Sequence, residues 1–262
     1  MARDKKIQSL SLTGLFLFSI LLSLALPAGT VSASNETTSG TITGTETWAG
    51  VHTLTGDVTI APGAKLIINP GATIEFPNGT HLDVRGSLCA GVASCGASSN
   101  AGPAMRINLR WSEPINASAT GECYGMSYGN QEIWIDDPSC SEGVLMRSSI
   151  DLAETGLRYV TFDSAWGIPQ YVSAVGEFRY GALVLDGASP TLTELSFNQI
   201  NTSSVLTTNL AQPSFNGGDF AVGIDANTGI VGAALQIYSS GSSVSPFSLS
   251  DISLTGTCLL YT

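Results

Sequence analysis

The stretch DVTIAPGAKLIINPGATIEFPNGTHLDVRG, residues 57–86, repeats one short pattern of apolar residues every eight positions. Each unit holds two apolar residues separated by one residue, and a turn containing glycine follows. Side chains in a strand alternate between faces, so both members of a doublet point to the same side. The pattern predicts four short strands with apolar doublets at Val58/Ile60, Leu66/Ile68, Ile74/Phe76 and Leu82/Val84.

The turns keep the same period, because Gly63, Gly71 and Gly79 are spaced eight apart and each follows Pro or Asn. Short strands of equal length in one phase favour a coil over an antiparallel meander. Three strands and three turns return the chain to its start after about 24 residues, as in solenoid repeats. Leu82 and Val84 would then lie above Val58 and Ile60, with the rungs paired as parallel strands.

The residue between the members of each doublet is predicted to face outward. Thr59, Glu75 and Asp83 are polar, as an outer face requires, and Ile67 is the exception. The pattern returns less regularly downstream, and its doublets there are Val160/Phe162, Leu183/Leu185, Leu195/Phe197, Leu235/Ile237 and Ile252/Leu254.

The N-terminal residues have the organisation of an export signal. Arg3, Lys5 and Lys6 precede an apolar run at 12–26, and small residues at 31–33 form a cleavage site. The run is shorter than the roughly 20 residues of a spanning helix. We expect a signal peptide at 1–33, a secreted or surface-displayed protein and no membrane span after its removal; an uncleaved anchor is the alternative.

Removal of this leader leaves seven basic and 20 acidic residues, a net charge of −13, with Lys65 as the only lysine. Such a surface repels phosphate backbones, which are bound through Lys and Arg, so no nucleic-acid partner is expected. Export permits disulfides, and spacing favours Cys89 with Cys95 and Cys123 with Cys140, while Cys258 is left over. Four sequons predict N-glycosylation at Asn35, Asn78, Asn116 and Asn201.

The predicted organisation is a flexible polar lead-in at 34–47 followed by a coil over 48–262. A loop at about 112–143 interrupts the coil, and a second irregular stretch spans 201–219. The chain ends on an apolar run without a polar cap, so we expect a C-terminal truncation.

Trp48, LTGDVTIAPGAKLIINPGATIEF (54–76) and LDVRGSL (82–88) together resemble the opening rungs of right-handed parallel β-helix proteins of the pectin-lyase-like class. The similarity covers about residues 45–90 and, more loosely, 156–256. The resemblance implies an all-β, right-handed parallel β-helix, and it implies that residues 41–56 cap the open end of the coil.

Polysaccharide lyases and hydrolases occur in this class, so an enzyme is one alternative. The hydrolases carry Gly-His-Gly and Arg-x-Lys elements, but His52 and His81 are not flanked by glycines and Arg-x-Lys is absent. Weak catalytic candidates are Asp163, Asp186 and Asp225, because two carboxylates can hydrolyse a glycosidic bond. Calcium would suit an acidic ladder, but no GGxGxD loop supports it, so no cofactor is expected.

The loop at 112–143 carries aromatic and acidic residues of the kind that hold sugars: Tyr124, Tyr128, Trp134, Asp136 and Asp137. Packing of these aromatics onto the coil is the alternative. The sequence thus predicts a non-catalytic module with structural or adhesive roles that contacts extracellular glycans or cell-surface components. A polysaccharide-active enzyme and a spacer of a larger anchored protein remain alternatives.

Overall fold

The structure, a computed structural model, describes residues 36–112, 141–148, 154–173, 175–200, 202–221, 233–238, 248–255 and 258–261. Two short 3-10 helices, Ala93–Cys95 and Pro103–Met105, interrupt an otherwise β architecture in these ranges. The strands are β1 (Gly40–Ile42), β2 (Thr45–Trp48), β3 (Val51–Thr53), β4 (Val58–Ile60), β5 (Lys65–Ile68), β6 (Thr73–Phe76), β7 (His81–Val84), β8 (Ser87–Ala90), β9 (Ile107–Trp111), β10 (Gly143–Arg147), β11 (Gly156–Arg158), β12 (Val160–Asp163), β13 (Ile168–Val172), β14 (Glu177–Asp186), β15 (Thr191–Asn198), β16 (Ser203–Thr208), β17 (Ser214–Ala221), β18 (Leu235–Tyr238), β19 (Ser248–Thr255) and β20 (Cys258–Tyr261). Over the same ranges, we find no helix with the length and apolar character needed to cross a membrane.

The strands stack as parallel layers in two sheets, and successive turns of the chain add to both. Sheet 1 runs β1-β4-β7-β10-β14-β16-β18-β20. Sheet 2 has two tracks, β2-β5-β8-β11 and β3-β6-β9-β12, which merge on β15 and continue through β17 and β19. Parallel pairing of strands in sequence order confirms the predicted solenoid, a parallel β-helix.

The register of β4 and β7 matches the period of eight. Val58 pairs with Leu82 and Ile60 with Val84, so one rung takes 24 residues at this point. All four side chains are fully buried. The downstream doublets also lie on strands, and Phe162 of β12 pairs in register with Phe197 of β15. The coil therefore keeps its apolar residues in vertical columns.

The flexible lead-in predicted for 34–47 is wrong for the part that the structure describes. β1 pairs with β4 and β2 with β5, so the coil starts at Gly40. Side chains stabilise this polar rung: Glu46 accepts hydrogen bonds from the Thr37 hydroxyl at 2.7 Å and from the Trp48 indole N–H at 2.7 Å. His52 stacks on Trp48, and its Nδ1 lies 2.5 Å from a Glu36 carboxylate oxygen.

The irregular stretch predicted at 201–219 is also wrong, since β16 and most of β17 occupy it. β16 lacks an apolar doublet pattern because several of its inward or covered positions are hydroxyl residues. Ser203, Ser204 and Thr207 are buried, and the Ser203 hydroxyl accepts a hydrogen bond from Gln236 Nε2 at 2.6 Å. Neighbouring rungs satisfy these hydroxyls, so a polar segment can form a buried strand.

Two outward-facing residues of the repeat are buried for different reasons. Ile67 is covered by the loop between β8 and β9, where it packs with Cys89 and Ala97. Asp83 is only 4 % exposed because two arginines, Arg85 and Arg147, hydrogen-bond to its carboxylate. The disulfide predicted between Cys89 and Cys95 is present at the base of that loop.

An aromatic column runs through the interior beneath sheet 2. Its members are Phe76, Trp111, Phe162, Phe197 and Phe220, with successive ring centroids 4.4, 6.5, 4.8 and 5.2 Å apart. The four rings from Phe76 to Phe197 are nearly parallel, and the column crosses five rungs. Stacked rings of this kind contribute beyond their burial and tie each rung to the next.

An antiparallel hairpin of β13 and the start of β14 covers part of the outer face of sheet 1. Its Ile168 and Val172 pack against outward-facing Leu145, Val184 and Leu206. This apolar cluster outside the coil explains why sheet 1 carries aliphatic residues on both faces here. The other face of the hairpin carries an edge-to-face ring pair with centroids 5.5 Å apart, Tyr171 and Phe178.

Candidate functional site

A groove of about 650 Å³ lies on the outer surface of sheet 2, beside the disulfide loop. Its floor comes from the outward-facing positions of β11 and β15, where Gly156 pairs with Thr191 and Arg158 with Thr193. These side chains are small or polar, so the floor stays open. The volume lies within the range of sites that hold small ligands.

The wall of the groove is a loop that leaves the sheet at Gly91 and returns at Ala101. Gly91 has φ +67°, and a Cβ atom there would lie 2.7 Å from the Arg158 carbonyl oxygen, so glycine is required at this exit. The Ala101 N–H donates to the Gly91 carbonyl at 2.8 Å and closes the loop at its neck. Asn100 Oδ1 accepts the Ala93 N–H at 2.9 Å. The wall is therefore built by its own backbone and by the Cys89–Cys95 disulfide.

The charged groups of the groove are Lys65, Glu154 and Arg158. Lys65 Nζ forms an ion pair with the Glu154 carboxylate, which leaves one net positive charge in the groove. Arg158 donates from Nε to the Ala101 carbonyl at 3.0 Å, so its stem is held against the loop. Chemically, the groove offers hydroxyls, amide groups and a guanidinium, together with a carboxylate already paired to lysine.

Two of the weak catalytic candidates are described, and the structure does not bring them together. Asp163 ends β12 in sheet 2 and lies 3.5 Å from Arg110 Nε. Asp186 ends β14 in sheet 1, where the Thr208 hydroxyl donates to it at 3.2 Å. Each carboxylate is thus held by residues of a neighbouring rung. The third, Asp225, lies outside the described residues.

Arginine and aspartate alternate along the outer face of sheet 1. Arg147 donates from Nε to Asp83 at 3.1 Å, and its Nη1 lies 3.8 Å from Asp186 on the opposite side. Arg85 adds two hydrogen bonds to Asp83, at 2.9 and 2.8 Å. Within the described ranges, no group of three or more His, Cys, Asp or Glu side chains is placed to share a metal ion.

A buried carboxyl group, which sequence analysis missed, joins two rungs. Glu142 is completely buried, and it accepts hydrogen bonds from the Gly79 and Trp166 N–H groups, each at 2.9 Å. Burial raises its pKa to about 7, against the opposing effect of these two hydrogen bonds. Nothing in the repeat marks Glu142, since it precedes β10 and faces turns that are distant in sequence.

All five residues predicted for glycan contact lie outside the described residues: Tyr124, Tyr128, Trp134, Asp136 and Asp137. Cys123, Cys140 and three of the sequon asparagines, Asn35, Asn116 and Asn201, lie there too, as does the side chain of Cys258. The remaining sequon residue, Asn78, is exposed in the turn between β6 and β7, where an attached glycan would meet solvent.

The groove itself was not predicted. Its residues come from four separate segments, and Lys65 and Glu154 are 89 positions apart in the chain. The available signals were Lys65 as the only lysine after the leader and the Cys89–Cys95 pair, which marks a projecting loop. Comparisons with protein-family models, with curated proteins and with solved structures gave no match.

Proposed function

We propose that this chain is a secreted or surface-displayed, non-catalytic β-helix module with a structural or adhesive role, which contacts extracellular glycans through the groove. The observation that carries the proposal is the composition of the groove, whose floor pairs the hydroxyls of Thr191 and Thr193 with the guanidinium of Arg158. Its carboxylate, Glu154, is ion-paired with Lys65.

Sugars are recognised by hydrogen bonds to their hydroxyls, and hydroxyl and amide side chains both donate and accept. Thr191 and Thr193 stand on a stacked sheet, where rungs repeat about every 4.8 Å. The outward positions on the following rung, Ser214 and Asn216 of β17, continue this polar surface beyond the groove. A linear glycan could therefore lie along the coil over several rungs.

The arrangement of carboxylates favours binding over hydrolysis. Glycoside hydrolysis needs two carboxyl groups about 5 to 9 Å apart across one bond. Asp163 and Asp186 belong to different sheets, and each binds a partner on a neighbouring rung. We infer that the likeness to the pectin-lyase-like class is one of fold, with a binding role in this chain.

The loop at 112–143 remains a second predicted contact surface, and Trp134 is one of its aromatic residues. A glycan array should be run with residues 34–262 and with two variants, Thr193→Phe in the groove and Trp134→Ala in the loop. Thr73→Phe is the matched control for Thr193→Phe, since Thr73 is a partly exposed strand residue of the same sheet outside the groove.

We expect the wild-type chain and Thr73→Phe to bind the same glycans, and Thr193→Phe to lose them because its ring fills the groove. Loss in Trp134→Ala alone would move the contact to the loop and overturn the groove assignment. If the wild-type chain binds none of the glycans on the array, the proposed glycan contact is overturned.

A further inference from the structure

Two arginines near the groove, Arg106 and Arg158, differ from four other basic residues of this acidic chain. Lys65, Arg85, Arg110 and Arg147 each lie within 4.0 Å of a carboxylate. In contrast, Arg106 and Arg158 have no carboxylate within that distance anywhere in the described ranges. This is unexpected in a chain with 20 acidic residues after position 33, because random placement would favour pairing.

Both of these arginines are held beside the same ring. The guanidinium carbon of Arg106 lies 5.4 Å, and that of Arg158 5.3 Å, from the ring centroid of Tyr159. The two guanidinium carbons are thus no more than about 11 Å apart. This is near the Debye length of about 10 Å at 0.1 M salt, so both cations contribute to the electrostatic potential at this edge. Contact with the ring face offsets part of the cost of keeping them close.

Their hydrogen bonds show which nitrogens are left to bind a ligand. Arg106 donates from Nε to the Thr161 hydroxyl at 3.0 Å and from Nη2 to the Glu194 carbonyl at 2.8 Å. Arg158 uses only Nε, which donates to the Ala101 carbonyl. Both terminal nitrogens of Arg158 therefore make no hydrogen bond to the described residues, and Arg158 lines the groove.

A guanidinium with both terminal nitrogens available matches the two oxygens of a carboxylate or a sulfate. We propose that Arg158, reinforced by the charge of Arg106, forms an oxyanion subsite of the groove, and that the ligand is an acidic saccharide with its carboxylate or sulfate on Arg158. The hydroxyls of Thr191 and Thr193 then hold the neutral part of the sugar. This inference rests on the proposed function and names the class of glycan.

The test uses residues 34–262 and isothermal titration calorimetry with three probes: hyaluronan oligosaccharides for carboxylate, chondroitin sulfate oligosaccharides for sulfate, and dextran oligosaccharides as a neutral reference. The variants are Arg158→Gln and Arg158→Lys. Arg110→Gln is the matched control, because it removes one positive charge from sheet 2 at a residue paired with Asp163, outside the groove.

We expect Arg158→Gln to weaken binding of an acidic probe about 10- to 100-fold, as loss of charge-assisted hydrogen bonds implies, with dextran unaffected. The affinity of Arg158→Lys for the acidic probe should lie between those of the wild-type chain and Arg158→Gln. Lysine keeps the positive charge but lacks the two terminal nitrogens of the guanidinium group. Arg110→Gln should bind as the wild-type chain does. Chondroitin sulfate carries carboxylates as well as sulfates, so binding of both acidic probes indicates a carboxylate on Arg158, and binding of chondroitin sulfate alone indicates a sulfate.

Equal affinity for acidic and neutral probes, or unchanged acidic affinity in Arg158→Gln, would overturn the oxyanion subsite and leave the proposed glycan contact standing. Absence of binding by the wild-type chain to all three probes would overturn both. Because Arg158 also supports the loop through Ala101, thermal unfolding of each variant should be measured. If Arg158→Gln unfolds at a lower temperature than the wild-type chain, Arg158→Lys is the deciding variant. Wild-type affinity of Arg158→Lys for both the acidic probe and dextran would overturn the subsite.

Discussion

Arg147 on β10 donates from Nε to the Asp83 carboxylate on β7, one rung away, at 3.1 Å. The two strands are in register although an insertion separates them in sequence, and Asp83 lies opposite Leu145. Arg85 reaches the same carboxylate from the end of β7. A nearly buried anion between two half-exposed cations thus marks the point where the coil resumes after the insertion.

Replacement of Asp83 by alanine should lower the free energy of unfolding by about 2 kcal/mol. The change leaves Arg85 and Arg147 without their shared anion and removes three charge-assisted hydrogen bonds. Urea unfolding followed by circular dichroism measures the effect. Asp163→Ala is the control, because its pair with Arg110 is more exposed and should contribute less than about 1 kcal/mol. Equal losses in both variants would contradict this role of Asp83.

Phe162→Ala should cost about 4 kcal/mol, the usual range for removing a fully buried aromatic side chain. Phe162 stands between Trp111 and Phe197 in the aromatic column, so the cavity cannot close without moving both rings. Phe162→Leu, which retains much of the volume, should cost less than about 2 kcal/mol. Thermal unfolding of the three proteins checks the order, and similar melting temperatures would show that the column is not continuous.

Glu142 gives the chain a defined dependence of stability on pH. Its carboxyl titrates at about 7 when folded, against 4.5 for an unperturbed Glu, because burial disfavours the anion. The folded state binds this proton more tightly, so the stabilisation is fully present below about pH 4.5 and is lost as pH rises through about 7.

Glu142→Gln, which stays neutral, should remove this dependence. The free energy of unfolding is measured at pH 4.5 and at pH 8. Its decrease from the lower to the higher pH should be about 3 kcal/mol larger in the wild-type chain than in the variant. Glu154→Gln serves as the control, since that carboxyl is largely exposed and pairs with Lys65. Parallel pH profiles for wild type and Glu142→Gln would contradict the prediction.

Loss of the Cys89–Cys95 disulfide should affect both stability and the groove. The bridge closes a short loop, for which chain-entropy arguments give about 2 kcal/mol. Cys95→Ser should lower the free energy of unfolding by that amount, with a lower melting temperature, and should weaken glycan binding because Cys95 lies in the groove wall. Cys258→Ser is the comparison. Unchanged binding after loss of the disulfide would show that the wall keeps its shape without it.

The period of eight allowed the coil and the register of β4 on β7 to be predicted, because each unit signals its own strand. β1, β2 and β16 were missed for a physical reason. Their stability comes from polar side-chain hydrogen bonds rather than from apolar doublets, within the first rung between Thr37 and Glu46 and between two rungs for Gln236 and Ser203. A local pattern cannot report partners that only the stacking supplies.

The candidate site could be predicted even less. Lys65, Glu154 and Arg158 come together because rungs two and four place strands of one track of sheet 2 beside one loop. The sequence indicated polar outer faces and a stapled loop near Cys89. It gave no means of knowing which outer face the loop would cover.

The order of sheet 1, with β1 and β20 at its two ends, has a mechanical consequence. Tension applied between these two strands runs across the ladder, perpendicular to the strands, so every interface between rungs carries the same load and the weakest one separates first. Such a coil should yield to force in steps, each releasing the residues of a single turn while the turns behind it stay folded. In the surface-displayed role proposed above, that behaviour would let the coil lengthen under load while a bound ligand stays attached.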